Sequence, residues 1–142
     1  MSESSEADQV DVSDQFTGLL RFALDHGVTL IQDKGMLVPF TISVARGDFK
    51  ITAFSQPPVE AVASAKQHVA RLPPETEAYA IVFLGNIKLS GQPYKAVVVE
   101  GAERGHSHGF RIGQPLEVKG SPPQLQRAGE MVNLGSCEQL LA

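Results

Sequence analysis

Two apolar runs joined by a short polar reversal, AYAIVFLGNIKLSGQPYKAVVVE from Ala78 to Glu100, constrain this chain more than any other stretch. Runs rich in β-branched and aromatic residues on either side of Ser90-Gly91-Gln92-Pro93 predict an antiparallel hairpin. In the first run Tyr79, Ile81, Phe83, Ile87 and Leu89 recur at a period of two. Ala80, Val82 and Leu84 fall on the opposite parity and are also apolar, so this strand belongs inside a sheet with both faces covered. In the second run Ala96 and Val98 oppose Val97 and Val99, while Lys95 and Glu100 mark its ends.

The elements before the hairpin follow from periodicity and punctuation. Ser13 stands where an N-cap belongs, Asp14 places a carboxylate in the first turn, and Phe16, Leu19, Leu20, Ala23 and Leu24 form one helical stripe. Gly27 is the expected stop. Val28–Ile31 reads equally as a short strand or as more helix. Leu37, Val38, Phe40, Ile42 and Val44 predict a strand, with Pro39 marking an edge, a bulge or the strand's first residues. Arg46-Gly47-Asp48 is a turn, and Phe49, Ile51 and Ala53 return from it. Ser55-Gln56-Pro57-Pro58 opens a second helix, whose face is expected to carry Val59, Val62, Ala63, Val69 and Ala70 before Pro73 and Pro74 end it. Ala61 and Ala65 would allow close approach to a sheet or a sister helix.

After the hairpin, Gly105–Gly113 reads as a short edge strand, with Leu116–Val118 returning through Gly113-Gln114-Pro115. The expected architecture is α+β: a two-layer sandwich of a predominantly antiparallel sheet with two main helices, Phe16–Leu24 and Val59–Leu72, packed on one side. Residues 1–12 are expected as a flexible acidic tail, 13–120 as a single domain, and 121–142 as a helical or partly ordered arm interrupted by Gly129 and Gly135. This order of elements is similar to that of small regulatory scaffold domains of the roadblock type, a likeness of element order alone, with no motif matched.

Twelve basic residues against sixteen acidic ones, with no dense basic cluster, argue against a nucleic-acid backbone as partner. No apolar run approaches the roughly 20 residues that span a bilayer, so no membrane partner is expected. The N-terminal residues lack the pattern of a secretory signal. Cys137 is the single cysteine, which excludes an internal disulfide and points to a reducing, cytoplasmic setting.

Chemistry-bearing residues gather in one place. His106 and His108 lie two apart on the expected strand, where both imidazoles would share a face, and Glu100, Glu103 and Arg104 lie close by in sequence. Glu103, His106 and His108 are the candidate catalytic residues. Two imidazoles and one carboxylate fall short of the four ligands of a structural metal site, so no metal and no cofactor is expected. Phosphate-loop and nucleophile-elbow spacings do not occur. These features favour a protein-interaction or regulatory adaptor, of toxin-neutralising or secretion-chaperone character. It is expected as a homodimer, with Ala61, Ala65 and His68 repeating across the axis, and with a further protein partner. The alternatives are a small hydrolase-like or metal-assisted enzyme with its site near residues 100–108, or a small-molecule sensor binding between helix and sheet.

Overall fold

A computed structural model describes residues 12–141; the expected tail, apart from Val12, lies outside the described residues. Ser13 caps helix α1 (Asp14–Lys34), its Oγ accepting from Phe16 N at 3.1 Å. A hairpin follows, strands β1 (Phe40–Ala45) and β2 (Asp48–Ala53), then helix α2 (Pro58–Ala70). Strands β3 (Thr76–Leu89), β4 (Gln92–Glu103) and β5 (His108–Lys119) form a meander, and β6 (Gln124–Arg127) and β7 (Val132–Glu138) complete the described chain. Every pairing is antiparallel, in the order β2-β1-β3-β4-β5-β6. Strand β7 pairs with the His108–Gly113 half of β5 and β6 with its Leu116–Lys119 half, so the two share one edge. Both hairpins turn on two residues at positive φ, Arg46-Gly47 and Ser90-Gly91, the geometry that matches strand twist.

The chain is an α+β fold with a multi-strand antiparallel sheet and two packed helices, as the periodicity predicts. The placement of the helices is different from expectation. Phe16, Leu19, Ala23 and Val28 of α1 pack with Ala78, Ala80 and Val82, one parity of β3. Ala65 and Val69 of α2 pack with Tyr79 and Ile81, the other parity, and Phe83 joins them. The helices therefore cover opposite faces, giving three layers rather than two. The cause lies in β3 itself: a strand apolar on both parities leaves a face in water unless each side receives a cover. Each large side chain so buried contributes roughly 1.5–3 kcal/mol.

Four local expectations are corrected. Helix α1 runs past Gly27 to Lys34, which settles Val28–Ile31 as helix, and the left-handed cap is Gly35 at φ 73. Gly27 serves close approach instead: a Cβ there would lie 2.8 Å from Val97 Cγ1 and 2.9 Å from Val82 Cγ1. The buried stripe of α2 is Ala61, Ala65 and Val69, while Val59 is 84% exposed. Ala61 and Ala65 are thus committed to the sheet and cannot repeat across a dimer axis. Strand β5 continues through Gly113-Gln114-Pro115 without turning, and β6 and β7 stand within the stretch expected as a helical or partly ordered arm, joined to the sheet through β5.

Candidate functional site

The β4–β5 connection holds the sequence's candidate residues in separate local bonds. Glu103 ends β4 and accepts from Ser13 N at 3.0 Å and from Ser13 Oγ, tying the start of α1 to the sheet. His106 Nε2 stands 3.5 Å from Glu103 Oε1. His106 sits in the turn, whereas His108 opens β5 and its Nδ1 pairs with Ser107 Oγ at 2.9 Å. The two imidazoles are therefore not a same-face pair on one strand. Gln139 Nε2 donates to both Glu103 O and His106 O at 3.0 Å, and Arg104 Nε donates to Thr76 O at 2.7 Å. Among the described residues no three His, Cys, Asp or Glu side chains come together as a metal-holding group. The bonds around Glu103 fasten helix, turn and C-terminal segment together.

Glu100, nearby in sequence, belongs to a second cluster on the α2 face. Glu100 is 4% exposed, and its carboxylate is gripped by Arg111 Nε at 2.8 Å and by Arg111 Nη2, with Lys66 Nζ of α2 at 3.9 Å. The register Glu100↔Arg111 makes this possible, since directly opposed residues share a face. Cys137 of β7 lines the same small cavity of about 200 Å³. Burial, then the negative charge of Glu100, pushes its thiol up to about 11, which keeps it protonated and poorly nucleophilic at neutral pH. Burial likewise raises the phenol of Tyr79, whose hydroxyl donates to Glu138 O and accepts from Leu140 N, both at 3.3 Å. Two cations balanced on one buried carboxylate, beside a silent thiol, hold layers together.

The surface tells more about binding. Strand β2 lies at the edge of the sheet and is exposed at every residue but Thr52. Phe49 and Ile51, 51% and 50% exposed, share the α1 face with Val44 and Ile42, their partners on β1. Phe22 of α1, 44% exposed, stacks on His26, which meets Phe40 edge-on with centroids 5.4 Å apart. An apolar shelf thus extends from α1 to the edge of the sheet. Its backbone is open too. Because the two-residue turn closes on Ala45↔Asp48, the alternation of an antiparallel ladder directs the N–H and C=O of Phe49 and Ile51 outward. Sequence reasoning placed Phe49 and Ile51 on a strand; their exposure could not be read, because it depends on α1 lying over β3 and β4 instead of β2.

No protein-family model, no curated protein and no solved structure matches this chain. No described helix is long and apolar enough to cross a membrane.

Proposed function

We propose that this chain is a small protein-interaction or regulatory adaptor that works as a homodimer through the free edge of β2. The observation that carries the reading is the coincidence, on one strand, of an unpaired backbone edge with Phe49 and Ile51 half exposed. Large apolar side chains on an open edge are a liability in a monomer, which natural edges usually avoid with charge, proline or bulges. A second copy relieves it. Antiparallel pairing about a two-fold axis at Phe49 sets Phe49 against its counterpart and Asp48 against Lys50 twice, so the strand is complementary to itself in charge. Both copies then present their α1 faces on the same side, and the two shelves join. A reducing, cytoplasmic setting fits the single half-buried cysteine.

Sedimentation at micromolar concentration tests the reading. The expected mass is twice 15.2 kDa; a persistent single-chain mass overturns it. Phe49→Lys, which sets two cations at the axis, is expected to give monomers. Asp48→Lys and Lys50→Asp each weaken association, and the double exchange restores it, because an exposed pair contributes about 0.2–1 kcal/mol and occurs twice.

A further inference from the structure

Strand β3 is longer than the strand that covers it. Strand β1 pairs with it only as far as Phe40↔Val82, and Pro39, the residue before, has no N–H with which to continue. From Phe83 to Leu89, β3 pairs with β4 alone. The Ser90-Gly91 turn closes on Leu89↔Gln92, so alternation gives Leu89, Ile87, Gly85 and Phe83 their bonds to β4. Leu84, Asn86 and Lys88 turn their N–H and C=O to the open side.

A cavity of about 650 Å³ lies along this bare edge. Met36, Leu37 and Pro39 wall it on one side, and Pro58, Val59 and Val62 of the first turns of α2 wall it on the other. Val59 and Met36 are 84% and 60% exposed, so the walls offer apolar surface to an incoming chain. Lys95, opposite Asn86 in register, also lines the cavity, and Lys88 follows on the same face of β3. Neither lysine has an ion-pair partner among the described residues.

We propose that this groove binds an extended segment of a partner protein, alternately acidic and apolar, which adds as an antiparallel strand to the Leu84–Lys88 edge. The bare edge supplies main-chain bonds and the walls supply side-chain selection, the two components of recognition by strand addition. Side chains on the parity of Lys88 and Lys95 meet positive charge, hence the acidic positions; the opposite parity faces Val59 and Val62, hence the apolar ones. Self-pairing with this same edge of a second copy is disfavoured, since it would bring the Lys88 and Lys95 faces of the two copies together on one side of the sheet. The β2 edge is already engaged with its counterpart in the proposed dimer, so the occupant is a segment of another protein.

A fluorescein-labelled peptide alternating glutamate and valine over eight residues is the probe, read by anisotropy. In the antiparallel arrangement the glutamate amides point at β3 and the valine amides point away. Methylating the glutamate amides is expected to weaken binding by about tenfold or more, and methylating the valine amides to leave it within about threefold. Asn86→Pro removes one outward N–H and no β4 bond, and Val59→Glu charges the apolar wall; each is expected to weaken binding by about tenfold while the thermal melt stays near wild type. Equal losses from the two methylated peptides, or no saturable binding up to about 1 mM, overturn the proposal. So does an increase of about tenfold or more on deleting residues 2–11, because the chain's own acidic segment would then be the occupant. Repeating the titration with Phe49→Lys separates the two readings: a monomer that still binds the peptide retains the groove whatever the fate of the dimer.

Discussion

A methyl group at residue 27 would enter space already held by the γ-carbons of Val82 and Val97. Gly27→Ala is expected to lower stability by about 1–3 kcal/mol in urea unfolding, the range for an overpacked core. Thr41 gives the opposite sign. Its Oγ1 is buried without a hydrogen-bond partner among the described residues, so Thr41→Val is expected to raise stability by about 1 kcal/mol in the same experiment. Cys137 and Tyr79 set the alkaline response. Both have folded values above their unfolded ones, so the contribution of Cys137 is whole below about pH 9 and is lost as pH rises through about 11, while that of Tyr79 is whole below about pH 10 and goes on falling at higher pH. The melting temperature should fall across that window, and Cys137→Ser with Tyr79→Phe should flatten the fall. Two of these features were hidden from sequence reasoning. The periodicity argument takes Gly27 as the helix stop, and only the contact with Val82 and Val97 shows that this glycine packs while Gly35 caps. Thr41 reads as an ordinary strand residue until its neighbours are known.

Elements bounded by sharp punctuation were legible. Both hairpins are where Arg46-Gly47 and Ser90-Gly91 require positive φ, and α1 begins at Ser13 because a hydroxyl there satisfies an otherwise free N–H. Strands β6 and β7 were not legible. Gln124–Arg127 is a polar four-residue strand, and Gly135 interrupts the alternation of Val132–Glu138 at a register shift. They are strands because β5 offers them an edge, which is a tertiary cause. The candidate site divided for a similar reason: Glu100 and Glu103 are three residues apart, so alternation sends their side chains to opposite faces of β4. Glu100 went to the α2 face and found Arg111; Glu103 went to α1 and found Ser13. Arg111→Met is expected to destabilise by about 3–5 kcal/mol because it strands a buried carboxylate, whereas Glu100→Met with Arg111→Met is expected to cost far less. Chemical unfolding of the two single variants and the double variant measures the difference.

For the whole molecule, the α+β class followed from the change of periodicity along the chain, and the side on which each helix lies did not. Both parities of β3 were seen to be apolar, yet two-sided burial became two-sided helix cover only once α1 and α2 were placed. The same three-layer arrangement leaves β2 outside the reach of α1, and that is the origin of the exposed Phe49 and Ile51. The other end of the sheet is different. There β6 and β7 sit end to end on β5, one of them four residues long and the other bulged at Gly135, a form that resists further pairing. The two outermost strands of the sheet thus differ, β2 open to pairing and the β6/β7 side blunted. In the proposed β2 dimer each outermost strand is the blunted one, and the inner Leu84–Lys88 edge lies in the groove proposed for a partner segment, so pairing between copies is expected to halt at two and not to run on into a filament.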